Sequence, residues 1–446
     1  MYKKNRDWAE NVFGNCDLGD VRREDRLVDY ATRQACNPQA STNAACGKDE
    51  AAAEGSYRFL RNPSIDAKDI DESVYEYVVD DCVDRACVLV IQDTTTVAVK
   101  SQQVARKDDL GSGNGFQVHS SLAIDANTGE PIGLVDQKRW MRNKTRPGSA
   151  KREKIPYKKK ESYKWESAHR RLMSRTATQD NIITISDREA DIFEYLVFLL
   201  ANNQRFVQRA STNRQLSGCR EKLRGVIAKA TQLGRDLVEI KQRGPIMTGH
   251  LRNRRPGRSK RVAEVEIRSA TVVLRKPKRH KADAPDSIEV NAIWVHELRP
   301  PKGKNALDWL LLTSEPVGIL KDAKKVISYY EKRWIIEEFH KAWKSGCRIE
   351  QRALKDKGNL ERMYAVTAPI AVRLLQLQWL QDVDPDISCE EILAKDEWQC
   401  LYATTKPGKK IPKAAPSIKW AVQTIARMVG WRDSKRTGRI GWDTMW

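Results

Sequence analysis

The sequence predicts an α/β fold with a helical N-terminal region, a β-rich insertion in its middle, and a mostly helical C-terminal region. Two near-continuous apolar runs, "ACVLVIQD" at 86–93 and "NIITISD" at 181–187, suit central strands covered on both faces, and each ends on an aspartate. The stretch "YEKRWIIEEFHKAWK", Tyr330 to Lys344, places Ile335, Ile336, Phe339, Ala342 and Trp343 on one arc at helical spacing. Tyr330, Arg333, Glu337, Lys341 and Lys344 fall on the other. A helix of that pattern docks its apolar side on a sheet and shows an acid among cations.

The elements follow in chain order. Residues 1–70 predict short helices in "DWAENVF", in "DVRREDRLVDYATRQA" started by Asp20, and in "KDEAAAEGSYRFLRNP" stopped by Pro63. Eleven basic and twelve acidic side chains leave this region without net positive charge, so a clustered face of Arg22, Arg23, Arg26 and Arg33 is its candidate for binding a polyanion. After the strand ending at Asp93, "GFQVHSSLAI", the turn "DANTGE" and "PIGLVDQKRW" predict a hairpin, and "KKKESYKWESAHRRLMSRTA" a basic helix. The strand ending at Asp187 leads into the helix "READIFEYLVFLLAN", followed by the short strand "RFVQRA". Residues 214–300 form the β-rich insertion, with strands in "EVEIRSATVVLRK" and "SIEVNAIWVHEL". "LDWLLLTSEPV" resumes a buried strand, and helical pattern returns after Pro369. Three regions result: 1–70, 71–375 and 376–446. "GSGNG" at 111–115 precedes a strand, which makes it a loop and not a phosphate cradle.

Composition bounds the function. The chain of 446 residues has room for two or three cores, and its longest apolar stretch is too short to cross a bilayer. No signal-type segment opens the chain, so a cytoplasmic location is expected. Nine scattered cysteines without a C-x-x-C pair read as reduced thiols and exclude a disulfide framework or a zinc site. The formal charge of +21 is uneven: residues 138–175 and 241–281 each carry +12, which leaves −3 for the remainder. Such concentration points to a polyanion, with nucleic acid the first candidate, and Lys158, Lys159 and Lys160 stand in the first block.

Asp93 and Asp187 at strand ends, with Glu337 on a helix, form a carboxylate set whose oxygen-only donors suit Mg²⁺ or Mn²⁺. Two such ions serve phosphoryl transfer. Plainer roles compete at each position: a turn with Thr94 to Thr96 for Asp93, a helix cap for Asp187, and (i, i+4) pairs with Arg333 and Lys341 for Glu337. Asp191 is a rival to Asp187, and His119 and His340 read as ordinary hydrogen-bonded histidines.

These motifs resemble the DDE transposases of the insertion-sequence-four group. "IQDTTTV" and "DREADI" are similar to the family's two aspartate motifs. Tyr330, Arg333, Glu337 and Lys344 match its Y-(2)-R-(3)-E-(6)-K pattern. "LGDVRR", "EGSYRFLRNP", "WLLLTSEPV" and "DSKRTG" extend the likeness over nearly the whole chain. The resemblance implies a ribonuclease-H-like catalytic core, an N-terminal domain that binds transposon ends, and a C-terminal part that pairs subunits in a homodimer. It also implies DNA cleavage through a hairpin intermediate and transfer of the 3′ ends to target DNA. It makes Trp309 a base-stacking residue, Arg209 a DNA contact, and Arg333, Lys341 and Lys344 phosphate ligands beside Tyr330. Ser211 departs from the family's lysine at that place, and the chain ends short of a terminal helical segment, so dimer contacts carried there are expected to be missing or replaced. Two other readings share these residues: a structure-selective nuclease without strand transfer, and a non-catalytic DNA-binding remnant of a mobile element.

Overall fold

The computed structural model describes residues 2–100, 115–141, 155–176, 180–241, 259–278, 284–428, 430–432 and 440. Much of both basic blocks, the "GSG" of the glycine loop and "DSKRTG" lie outside the described residues. In chain order come α1 (Tyr2–Phe13), α2 (Val21–Cys36), α3 (Thr42–Ala45), α4 (Glu50–Arg61) and α5 (Ala67–Val83). Next are β1 (Val88–Ala98), β2 (Gly115–Asp125), β3 (Pro131–Trp140), α6 (Lys164–Arg175), β4 (Ile182–Ser186), α7 (Phe193–Ala201) and β5 (Arg205–Arg209). Then follow α8 (Leu223–Lys229), β6 (Gln232–Ile240), β7 (Arg261–Arg275), β8 (Ser287–Glu297), β9 (Asp308–Thr313) and α9 (Leu320–Glu331). The last helices are α10 (Ile335–Lys341), α11 (Lys357–Val383), α12 (Lys395–Thr405) and α13 (Ile418–Met428).

The chain divides into two compact units, the first made of residues 1–148, 168–181 and 334–446. In it β3, β2 and β1 form an antiparallel meander. Val88 to Ile91 are fully buried, which explains their unbroken apolar run. Asp20, Asp49 and Asp66 cap α2, α4 and α5 through their side chains, as short acceptors at helix starts do. The long helix α11 is buried over most of its length and runs straight through Pro369. The sequence break expected there does not occur, because burial outweighs the single hydrogen bond that proline removes. The 375/376 boundary therefore falls inside this helix. Trp343 packs between Phe339 and Tyr364, at ring distances of 6.1 and 5.5 Å, and donates its indole N–H to Thr367 at 3.1 Å. A smaller core around Trp398, Ile418 and Ala421 gathers α12 and α13.

The second unit holds residues 149–167 and 182–333, with strand order β4-β5-β9-β8-β7-β6. β4 and β5 are parallel and the remaining pairs antiparallel, so the sheet is mixed. The β-rich segment expected at 214–300 supplies β6, β7 and β8 and extends this sheet. It also contains α8 and β6, which its basic, weakly periodic residues did not announce. Among the described residues no helix is long and apolar enough to cross a membrane.

Candidate active site

In the first unit, Asp93 stands inside β1, opposite Ser120, and not at the strand's end as expected. Thr94, Thr95, Thr96 and Val97 are β-branched and continue the ladder with β2 as far as Ala98 opposite Gly115. The Asp93 Oδ1 accepts the N–H of Thr94 at 2.8 Å, and the Thr94 hydroxyl shares a hydrogen bond with His119 Nδ1 at 2.9 Å. Glu337 lies on α10, which packs against β1. Lys344 follows on a single π turn, Ala342–Gly346, and its Nζ donates to Thr95 Oγ1 at 2.6 Å. Burial pushes the Lys344 pKa below that of an ordinary lysine, with Glu350 and Asp93 opposing the shift. Glu350 in turn accepts the N–H of Ala98 at 2.9 Å, so the segment after the π turn is pinned to the far end of the same strand. One strand and the helix packed on it thus bring together two of the expected acids and the expected lysine.

The single helix expected from Tyr330 to Lys344 is four pieces: the end of α9, a 3-10 turn at Lys332–Trp334, α10 and the π turn. Ile336, Phe339, Ala342 and Trp343 are buried as the apolar arc required. Tyr330, placed on the polar arc by simple periodicity, is only 4% exposed, because the 3-10 turn shifts the phase between α9 and α10. Lys341 pairs with Glu338 at 2.7 Å, not with Glu337, and lies over the Trp334 ring at 4.8 Å. His340 is buried and its Nε2 has no hydrogen-bond partner, which corrects the expectation of an ordinary bonded histidine. Burial and the neighbouring Lys344 hold its pKa down at about 3.

In the second unit, Asp187 follows β4 directly and caps a 3-10 turn, Arg188–Ala190, with its Oδ1 accepting the N–H of Glu189 at 2.8 Å. Arg209 ends β5. Its Nη2 donates to the Asp308 carbonyl at 2.9 Å, and its Nε–H has no partner. Burial lowers the Arg209 pKa, with the cations of Arg188 and Arg333 adding to the effect. Burial raises the Tyr330 pKa, against the pull of Arg333 and Arg209. Trp309 is partly exposed and meets Tyr330 edge-on at 5.0 Å. Lys158 and Lys159 are exposed on a 3-10 turn, Tyr157–Lys159, with Lys160 half-buried after it.

Asp191 is no ligand in waiting. Its side chain is 0% exposed and its oxygens are taken by Ser211 N–H at 2.8 Å, Ser211 Oγ at 3.1 Å, Thr212 N–H at 2.9 Å and Arg214 Nε at 3.0 Å. Ser211, the departure from the family pattern, belongs to this internal network. The arginine face of α2 is likewise spoken for: Arg22 pairs with Asp20, Arg26 and Arg33 with Asp29, and Arg23 donates to the Leu18 carbonyl. Among the described residues, no group of three or more His, Cys, Asp or Glu side chains is gathered so as to hold a metal ion. Thr95, Glu350 and Arg214 were not singled out in the sequence, because nothing local marks a residue that acts through a partner far along the chain.

Two family models match the chain. One, described as transposase DNA-binding, covers residues 5–65, and the other, described as a transposase DDE domain, covers residues 167–368. Asp187 and Glu337 fall within the second match and Asp93 precedes it. Among solved structures, a piggyBac transposase synaptic complex with hairpin DNA is similar at a TM-score of 0.38 and 11% identity, over 98% of this chain and 80% of that one. The chain therefore carries a transposase DNA-binding segment ahead of a transposase DDE domain.

Proposed function

We infer that this chain is a cut-and-paste DNA transposase in which Asp93, Asp187 and Glu337 carry metal-dependent phosphoryl transfer. The observation that carries the reading is the docking of the Glu337 helix on the Asp93 strand, fixed by the Lys344 ammonium on Thr95 at 2.6 Å, in a chain with both transposase matches. The three carboxylates are an oxygen-only donor set, none of them fully buried, and such a set suits Mg²⁺ or Mn²⁺ better than a softer metal. Two bound ions would activate the attacking water or hydroxyl and neutralise the leaving oxygen.

The protein's own groups have separate tasks. Lys344, Arg333 and Lys341 hold phosphate oxygens, and Arg209 offers its unpartnered Nε–H to another. Trp309 gives a flipped base a surface on which to stack while the new 3′-hydroxyl attacks the opposite strand and closes a hairpin. Lys158, Lys159 and Lys160 contact the duplex backbone without reading sequence. Residues 5–65 bind the transposon end, a homodimer synapses two ends, and the ribonuclease-H-like core transfers them to target DNA.

Incubating the protein with the inverted repeats flanking its own gene and a target plasmid, with and without Mg²⁺, tests this directly. Mg²⁺-dependent nicks, hairpins and plasmid capture are expected. Cleavage without capture would favour the structure-selective nuclease, and binding without cleavage the non-catalytic remnant.

A further inference from the structure

We propose that Arg352 is a positioning residue that couples the transposon-end-binding segment to Lys344. Its guanidinium bridges two distant pieces of chain, both within the first unit. Nη2 donates at 2.8 Å to the Pro38 carbonyl and at 2.8 Å to the Cys347 carbonyl, and Nη1 donates to the Ala40 carbonyl. Pro38 and Ala40 belong to the turn after α2, inside the 5–65 match. Cys347 closes the π turn that carries Lys344, its N–H donating to the Ala342 carbonyl at 2.9 Å.

The acceptors on the N-terminal side are fixed as well. Gln34 at the end of α2 donates its amide to the carbonyls of Pro38 at 3.2 Å and Ala40 at 3.0 Å, the same two that Arg352 uses. A displacement of α2 on binding DNA therefore moves the acceptors of Arg352. On the other side, the backbone between Lys344 and Arg352 has little freedom. Arg348 is held at φ +47°, a left-handed conformation that a non-glycine residue keeps only under strong constraint, and Glu350 is bonded to the end of β1. A π turn, a left-handed residue and a 3-10 turn at Ile349–Gln351 follow one another over ten residues. This is a strap with anchors at Ala98 and at the 38–40 turn, and the position of the Lys344 ammonium on Thr95 depends on both.

The inference rests on the reading of the chain as a cleaving transposase, so the wild-type protein must first nick duplex ends in Mg²⁺; failure there removes that reading and not this one alone. The test is a double-mutant cycle of Arg352→Lys and Lys344→Ala, with first-strand nicking rate, affinity for an inverted-repeat duplex without divalent metal, and melting temperature measured for each protein. Arg352→Lys keeps the charge but carries its donors on one nitrogen, without the planar fork whose two nitrogens reach Ala40 on one side and Pro38 and Cys347 on the other. Expected are end affinity within about threefold of wild type and nicking slowed tenfold or more by Arg352→Lys. In the Lys344→Ala background, adding Arg352→Lys should change the remaining rate by less than about twofold. Equal, multiplying losses in both backgrounds would overturn the coupling, as would a fall in end affinity matching the fall in rate. If Arg352→Lys folds poorly, Glu350→Ala removes the acceptor of the other anchor and must give the same non-additive pattern with Lys344→Ala; additive behaviour there overturns the proposal too.

Discussion

Replacing Asp191 with asparagine separates a structural acid from the acid proposed as catalytic four residues away. The carboxylate is fully buried, its partner Arg214 is only 6% exposed, and five donor groups from Ser211, Thr212 and Arg214 converge on its two oxygens. Asparagine keeps one oxygen and puts an NH₂ in place of the other, so a donor must face either the guanidinium or the Ser211 and Thr212 amides. Breaking a buried pair by neutralising one partner costs about 3–5 kcal/mol. For a unit of 150–250 residues that lowers the melting temperature by roughly 6–20 °C. Asp187→Asn loses at most one cap contact, to the Glu189 N–H at 2.8 Å, at a cost of about 1 kcal/mol. The assay is thermal unfolding by circular dichroism beside Mg²⁺-dependent nicking, run at least 20 °C below each protein's own midpoint. Asp191→Asn should melt early and still cut; Asp187→Asn should melt almost normally and not cut. The opposite pattern, with Asp191→Asn stable but inactive, would move the ligand role to Asp191 and refute the reasoning.

Asp93→Asn and Glu337→Gln should each abolish cleavage while the inverted-repeat duplex is still bound, and full cleavage by either would remove that residue from the site. Trp309→Ala should leave first-strand nicking near normal and let nicked DNA accumulate, since the ring is partly exposed and its edge contact with Tyr330 is worth about 0.5–1.5 kcal/mol; a gel time course of nick, hairpin and blunt products decides it, and a uniform loss with a fallen melting temperature would sink the base-stacking role. Changing Lys158, Lys159 and Lys160 to Gln should weaken specific and random DNA alike and lower the salt slope by about one unit per lost contact, whereas an unchanged slope would exclude this turn from DNA. His340, with its pKa lowered to about 3, is neutral in the fold and gains a proton only on unfolding between that value and 6.5, so its burial destabilises the chain as pH falls below 6.5. At pH 5 the linkage amounts to about 2 kcal/mol, and His340→Gln should shrink the loss of stability between pH 7 and pH 5 by that amount in urea titrations.

What the sequence disclosed depended on how local the cause was. Apolar runs buried on both faces located β1 and β4, Asp20 located the start of α2 and Pro63 the end of α4, because each is written within a few neighbouring residues. The end of β1 was misplaced because an aspartate reads as a stop, although the threonines after it have partners in β2. Tyr330 was misjudged because constant helical phase cannot foresee a 3-10 turn. Asp93 and Asp187 were proposed from the ends of apolar runs, and Arg333, Glu337 and Lys344 from a spacing pattern, whereas Arg214 on Asp191, Glu350 on Ala98 and Arg352 on Pro38 join residues 23, 252 and 314 positions apart. No window of sequence contains both partners of the last two.

Two half-buried cations, Lys344 in the first unit and Arg209 in the second, donate to neutral acceptors: Lys344 to a threonine hydroxyl, Arg209 to a backbone carbonyl. Desolvation is the first cause of the lowered pKa at each, so folding holds these charges in a poorer environment than water. A structural role is served better by a carboxylate partner, as the neighbouring Arg214 and Asp191 demonstrate. Cations stripped of water and left with neutral partners have their orientation fixed before any anion arrives, and an anion that does arrive recovers the lost solvation in full. On the proposed function, a DNA phosphate oxygen would be that anion. The arrangement lowers the reorganisation needed when negative charge builds on a phosphorus centre, which is where such preorganised donors act most strongly. On the proposed function the two cations differ from Lys158 and Lys159, whose exposed ammonium groups would lose water only when DNA binds: the exposed pair should govern salt-dependent affinity, the half-buried pair the rate of the chemical step.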